Sequence, residues 1–474
     1  MKERMRCSTR VGVVVCGVWS LVGLPAGADN AHLMQLIEIL HKKGTLSHEE
    51  YQLLRGAADA PPEKTDQTTG RTPHKADSSV PQEEAKRVAA AAPAAPEPDS
   101  PVDITTKGGI KVKSRSGDSE FTLGGRVQVD AGFYRDDVRD HASGTELRRA
   151  RLDVGGRVDR DWKFKLAYDF AENAVEDKAA YIAYGGWPLA TVKAGLYTPP
   201  FTLSEATSSL YTTFMEEPML VNAFKPDDRI AIGVESGGGR WSAQAAVFGE
   251  NPGPNAAGED ESHGVSLRLT GAPLLDPENF LHLGGALLHQ NPDSQTTAAA
   301  RFRARPEAHV GTKRLVDTGS IAKVDGWTQY GLEFAAGRGP FSLESEYVLT
   351  AVERAAGLPN LHFDGYYAGV GWFLTGEARV YEAQTGSFGR IKPRENFSLE
   401  KGGLGAWQVA ARYSMLDLTD GSVLGGEEKN VTLGVNWYLN PQVRLMTNYL
   451  WVDAEKAGVH DQPGLFQTRA QVDF

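Results

Sequence analysis

The sequence predicts an all-β fold: a sixteen-stranded antiparallel transmembrane β-barrel with a short N-terminal helical segment ahead of it. Three observations carry that expectation. Apolar and polar residues alternate over runs of about ten, Trp and Tyr gather near the ends of those runs, and short turns alternate with long loops. The tail is clearest. In 430–439, Val431, Leu433, Val435, Trp437 and Leu439 alternate with Asn430, Thr432, Gly434, Asn436 and Tyr438. In 465–474, Phe466, Ala470, Val472 and Phe474 share one face with Thr468, and Gln467, Arg469, Gln471 and Asp473 share the other. Strand side chains alternate faces with period two, so each strand has one greasy and one polar face. No internal stretch reaches the roughly 20 continuous apolar residues of a membrane helix. A barrel escapes that test because half of every strand is polar.

The chain starts with an expected export signal over residues 1–28. Lys2, Arg4, Arg6 and Arg10 precede an apolar run, 11–24, and Ala26-Gly27-Ala28 forms a small-residue cleavage site. Removing it takes away four basic residues and Glu3, which moves the net charge from −11 to −14. Both cysteines, Cys7 and Cys16, lie in the signal, so neither a disulfide framework nor thiol chemistry is expected beyond it. The acidic balance argues against a nucleic-acid partner, because phosphate contacts require basic surface.

Residues 29–56 read as a periplasmic helical hairpin. Leu33, Leu36, Ile37 and Leu40 follow helical spacing, Gly44 ends the first helix and Ser47 with Glu50 caps the second. Residues 57–107 read as a disordered linker rich in Pro, Ala, Glu, Lys and Ser. The barrel domain is expected over 108–474.

Sixteen strands follow in order. The first half covers 121–134, 146–158, 162–171, 178–185, 190–197, 228–236, 240–249 and 264–271. The second covers 279–289, 327–336, 340–352, 363–374, 403–416, 430–439, 442–453 and 465–474. Asp159-Arg160-Asp161 and Gly237-Gly238-Gly239 mark tight turns. The stretches 135–145, 250–263 and 290–325 are long loops. The stretch 375–402 breaks the pattern, being long where parity demands a short turn. A count of eighteen, using 377–383 and 298–305, is the alternative.

One stretch does not alternate. Residues 198–226 carry Pro199-Pro200, a polar run from Ser204 to Ser209, and Phe214-Met215-Glu216-Glu217-Pro218. Loops of that length are usually functional, and this one is expected to fold inward as a constriction. Strand parity then assigns the basic residues to the lumen. With Val127 and Val129 outward, Arg126 points inward. The same rule sends Arg149, Arg151, Lys163, Lys165 and Lys193 inward and leaves Arg148 on the outer face. The inward assignment is favoured because a base on the lipid face costs about 2–4 kcal/mol at mid-bilayer. A wall of Arg and Lys favours anions, and the guanidinium fork suits phosphate.

The chain resembles the phosphate-selective porin O/P family of bacterial outer membranes. The likeness covers roughly 108–474. It rests on Gly124-Gly125-Arg126, the run Leu147-Arg148-Arg149-Ala150-Arg151-Leu152, Asp161-Trp162-Lys163 and Ala206-Thr207-Ser208-Ser209. Leu374-Thr375-Gly376-Glu377, Gly405-Ala406-Trp407 and Gly434-Val435-Asn436-Trp437-Tyr438 extend it. The resemblance implies a sixteen-stranded barrel, usually a homotrimer in outer-membrane lipid, with an arginine-lined path to a constriction that selects phosphate or polyphosphate. It implies no cofactor.

At the constriction this chain departs from that pattern. Phosphate-binding members place a Lys before the Ala-Thr-Ser-Ser motif and an acid–Arg pair after it. Here Glu205 holds the first position and Glu216-Glu217 the second, while Ser208 and Ser209 are kept. At an effective dielectric of ~20 and ~4 Å a unit charge is worth about 4 kcal/mol, with the sign reversed for an acid. Two readings stay open: a channel for small inorganic anions including phosphate, and a weakly selective or cation-preferring porin.

Three rival readings stand beside the channel. An enzyme would need a catalytic constellation, yet Asp140-His141 and His460-Asp461 are sequence neighbours with no triad spacing, and no metal or phosphate-loop motif occurs. Glu259, Asp260 and Glu261 read as a solvated acidic tip rather than a cation site. A tethering role for the N-terminal segment could coexist with transport. A soluble exported sandwich would turn its greasy faces inward.

Overall fold

The computed structural model describes residues 102–106, 108–171, 174–250, 261–292, 299–311, 313–355 and 357–474. The export signal, the helical hairpin and most of the linker lie outside these residues, as do Glu259 and Asp260 of the acidic tip.

Sixteen antiparallel strands form one closed barrel. They are β1 (Glu120–Arg135), β2 (Gly144–Val158), β3 (Trp162–Asp169), β4 (Glu176–Tyr184), β5 (Thr191–Tyr197), β6 (Arg229–Gly237), β7 (Trp241–Phe248) and β8 (His263–Leu275). They continue as β9 (Asn279–Asn291), β10 (Val324–Arg338), β11 (Phe341–Arg354), β12 (Leu361–Phe373), β13 (Ala406–Asp420), β14 (Val423–Tyr438), β15 (Val443–Lys456) and β16 (Gly464–Asp473). Each pairs with the next, and β16 closes on β1 from Gly464↔Arg135 to Asp473↔Arg126. Closure removes the exposed sheet edge that hydrocarbon could not tolerate. Below Arg126 the free edge of β1 is taken by Ile110–Ser114, itself paired with Val102–Thr105. That last strand falls within the stretch assigned to the linker.

The count is sixteen, and the alternative of eighteen does not hold. In 377–383 only Tyr381–Glu382 is extended, paired with Ser387–Phe388 in a separate ribbon. Among the described residues of 298–305 only Ala299–Ala300 and Arg303–Ala304 are extended, again in two-residue ribbons off the barrel.

Alternation produces the expected two faces. On β1, Arg126, Gln128 and Asp130 are buried inside while Val127 and Val129 are exposed outside. Aromatic rings gather at the end bearing short turns. Trp162 meets Tyr184 at 4.9 Å, Phe341 stacks on Trp372 at 5.6 Å and Trp407 on Trp437 at 4.9 Å. Such rings suit the membrane–water boundary, where one edge is apolar and the other wet.

The lumen is not open across its width. Three segments fold into it: loop 198–228, loop 299–322 and the long segment 374–405 from the short-turn end. Phe201, Leu220, Val221 and Phe224 of the first pack with Phe302 and Ile321 of the second, and with inward Val348, Val352, Phe363 and Leu416 of the wall. An apolar core therefore fills one side of the barrel, and its burial is the main attraction holding the segments there. Inward glycines make the room. A Cβ on Gly365 would stand 3.0 Å from Leu220 Cβ, and one on Gly132 would stand 2.9 Å from Val310 Cβ.

The segment 374–405 explains its own length. Arg268 of β8 is bidentate to Glu333 of β10 at 2.8 Å and donates to the carbonyls of Thr385 (3.1 Å) and Gly386 (2.7 Å). Tyr381 stacks on Phe280 at 5.3 Å and hydrogen-bonds His282 at 2.7 Å. Arg390 reaches Tyr211 at 3.1 Å and pairs with Asp473. The segment therefore supports loop 198–228 from the short-turn side.

Candidate channel constriction

Loop 198–228 is closed at its neck, where the Thr198 hydroxyl donates to Asp228 at 2.5 Å. Inside, α1 (Leu203–Ala206) is capped by Thr202, whose side chain accepts from the Glu205 amide. The amides of Leu203 and Ser204 donate to the Glu346 carboxylate of β11 at 2.7 and 2.9 Å, which fixes the helix to the wall. The amide of Phe388 donates to the Thr207 hydroxyl at 3.2 Å. After Pro218, α2 (Met219–Phe224) turns Met219, Leu220, Val221 and Phe224 into the apolar core. What remains exposed from the loop is its polar edge, and that edge faces β1–β4.

Between edge and wall lies a cavity of about 430 Å³, with Arg126, Arg148, Arg149, Arg151, Lys165 and Lys178 on the barrel side. Glu205, Ser208, Ser209, Glu217, Lys225, Asp227 and Asp228 come from the loop. A second cavity of about 540 Å³ continues toward the short-turn end and is lined by Lys111, Lys163, Lys165 and Lys193, with Asp153 and Glu235. The two share Lys165, so all six basic residues assigned inward by parity line one continuous path.

The bases differ in how they are held. Arg151 lies 3.3 Å from Asp169, Lys165 lies 3.3 Å from Asp153, and Lys193 pairs with Glu235 at 2.6 Å beneath the Tyr197 ring. Arg126 donates to Ser209 at 2.8 Å and to Ser208 at 3.5 Å, with Asp153 only at 3.8 Å. Arg149 donates to the neutral Gln128 amide at 2.7 Å. Arg126 and Arg149 thus keep most of their charge for the cavity.

Two placements correct the parity reading. Arg148 does not face lipid. The β1–β2 register slips by one residue, pairing Gln128 with Arg149 but Val129 with Leu147. This β-bulge leaves Arg148 as the extra residue and brings its side chain inward beside Arg149. There it is bidentate to Glu216 at 2.9 and 3.0 Å. Glu216, assigned to the constriction, is consequently turned into the wall. It also accepts from Arg469 at 2.6 Å, and Arg469 is itself bidentate to Asp130 at 2.7 Å. Burial opposes ionisation of Glu216, but Arg148 and Arg469 hold its carboxyl well below the ordinary range.

Glu205 and Glu217 do line the cavity, and sequence reasoning missed their partner. Lys225 Nζ lies 2.7 Å from Glu205 and 2.8 Å from Glu217. Lys225 is the one basic residue between Lys193 and Arg229, and that isolation was the available signal. Burial pushes the Glu205 carboxyl above its ordinary range, Lys225 pulls it back, and Glu217 adds to the rise. The loop edge therefore presents an acidic cluster with a lysine at its centre, opposite a basic wall.

The sequence-adjacent His/Asp pairs are drawn to different partners. His141 lies 3.7 Å from Asp461 and stacks on Tyr134, while His460 pairs with Asp453 at 2.5 Å. The first contact ties two loops together at the long-loop end, and the second lies within the β15–β16 hairpin.

A family model described as Phosphate-selective porin O and P matches residues 121–474. An uncharacterized protein of Caulobacter vibrioides is 31% identical over 388 residues, covering 79% of this chain and 76% of that protein. Porin O of Pseudomonas aeruginosa is 29% identical over 416 residues, covering 78% and 92%. Among solved structures, an anion-selective porin from Comamonas acidovorans aligns with a TM-score of 0.49 at 14% identity, covering 74% of this chain and 99% of that one. The closed sixteen-stranded barrel, its inward loop and the match over three quarters of the chain agree: this protein belongs to the phosphate-selective porin O and P family and is a channel of the outer membrane.

Proposed function

We propose that this porin passes small anions, phosphate among them, along the wall of β1–β5, and that it holds phosphate weakly. The supporting observation is the contrast between Arg126 and Arg149, which have no carboxylate within hydrogen-bond reach, and Lys225, whose charge is taken up by Glu205 and Glu217. Two guanidiniums with Ser208 and Ser209 can take an oxyanion by charge-assisted hydrogen bonds. The loop, where related porins carry a base, contributes net negative charge here. The acidic edge favours a second reading, a channel with little preference between ions.

In this reading the short-turn end faces the periplasm, the N-terminal segment sits there and links the barrel to another envelope component, and three copies assemble as a homotrimer. Reversal potential in planar bilayers under a salt gradient tests the selectivity, with phosphate added as a blocker. Anion preference with block only at millimolar phosphate is expected, and cation preference overturns it. Glu205→Lys combined with Glu217→Arg should raise anion preference and sharpen phosphate block. No change would remove loop 198–228 from the constriction.

A further inference from the structure

The 430 Å³ cavity is polarised. On the wall side Arg126 is nine-tenths buried, and its Nε has no hydrogen-bond partner among the protein atoms. Its Nη1 is already aimed at Ser209, and Arg149 stands beside it with only a neutral amide as partner. On the loop side two carboxylates, Glu205 and Glu217, share the single ammonium of Lys225, so the trio carries one uncompensated negative charge. Asp228 adds another, being held by the Thr198 hydroxyl rather than by a base, and exposed Asp227 adds a third. Ser208 follows Glu205 by three residues, at most ~11 Å along the backbone, and Lys225 ties Glu217 to Glu205, so this acidic pair borders the serines in the same cavity.

A plain anion experiences attraction at one side of this cavity and repulsion at the other. A solute with both charges experiences attraction at both. Coulomb energy grows where low-dielectric walls displace water, so the difference is largest at such a narrow point. A cavity of this size also falls in the range that takes small molecules.

Resting on the anion-channel reading above, we propose that the constriction binds small dipolar solutes, molecules that join an oxyanion to a primary ammonium. The phosphate or carboxylate end is taken by Arg126, Arg149 and Ser209. The ammonium end is taken by Glu217, Asp227 and Asp228 on the facing loop. Inorganic phosphate satisfies one pole and leaves the other unmet.

The test compares two blockers of matched size in bilayer recordings of the full-length protein at neutral pH: phosphoethanolamine and ethyl phosphate. Ethyl phosphate carries the greater net negative charge, so simple anion selectivity ranks it first. Dipolar binding predicts the reverse, with phosphoethanolamine blocking at several-fold lower concentration. Glu217→Gln should abolish that advantage. Asp227→Asn, at an exposed position outside the loop's anchoring contacts, should reduce it and keeps the test open if Glu217→Gln assembles poorly. Equal or stronger block by ethyl phosphate in the parent channel overturns the proposal, as does an advantage that survives Glu217→Gln or is undiminished in Asp227→Asn. The salt-gradient reversal potential is read on the same channels. Anion preference without a phosphoethanolamine advantage defeats this inference alone, whereas cation preference defeats the reading beneath it.

Discussion

Lys225 Nζ sits between Glu205 and Glu217, 2.7 Å from one and 2.8 Å from the other, at the edge of the loop that faces the arginine wall. One lysine thereby neutralises part of an acidic cluster that would otherwise oppose every anion entering. Lys225→Gln removes that brake. Reversal potential should shift toward cations by the equivalent of one unit charge, about 1 kcal/mol at ~4 Å in water-like surroundings. An unchanged potential would show that the cluster does not face the ion path.

Arg149 and Arg151 lie two residues apart on β2 and face the same cavity, but Arg151 has Asp169 and Arg149 has only Gln128. Arg149→Gln should therefore lower anion permeability more than Arg151→Gln. At ~8 Å and an effective dielectric between ~20 and ~80, a lost charge is worth about 0.5–2 kcal/mol, or roughly two- to thirtyfold. Permeability ratios of the two variants decide the order.

Glu216 joins Arg148 of β2 to Arg469 of β16 across the barrel seam. Removing one member of a buried charge network leaves the others uncompensated, at a cost of about 3–5 kcal/mol. Glu216→Ala should lower the temperature at which the folded barrel is lost on heat-modifiability gels. Glu217→Ala, whose carboxylate faces the cavity, should lower it far less.

Selectivity should also respond to pH. Because burial raises the Glu205 carboxyl above the ordinary value of about 4.3, it takes up a proton earlier as pH falls. Protonation removes a negative charge from the loop, so anion preference should increase between neutral pH and the usual carboxylate range. Glu205→Gln should show the increased preference at neutral pH and lose the pH dependence over that interval.

Alternation alone placed the strands well: the run read as 162–171 is Trp162–Asp169, and that read as 465–474 is Gly464–Asp473. It also identified the basic wall, because lipid penalises the opposite orientation of each strand. It misassigned Arg148, since parity counting carries no record of an inserted residue and a bulge inverts everything on one side of it. The apolar fill of the lumen was hidden for a related reason. Inward Val348 and Phe363 sit on strands whose outer faces are apolar too, so the pattern gave no cue that a loop would cover them. Glu216 and Arg469 are separated by 253 residues, and nothing local links them. Lys225 was visible as an isolated base, but its partners depended on how the loop folded.

The filled side of the barrel sets the scale of transport. Sixteen strands enclose a generous circle, yet the aliphatic and aromatic packing around Phe201, Phe224 and Phe363 occupies much of it and pushes solvent against β1–β5. The proposed ion path is therefore an off-centre gutter, not a central bore. Unitary current should resemble that of a much narrower tube, and strand number alone overestimates how much this porin lets through.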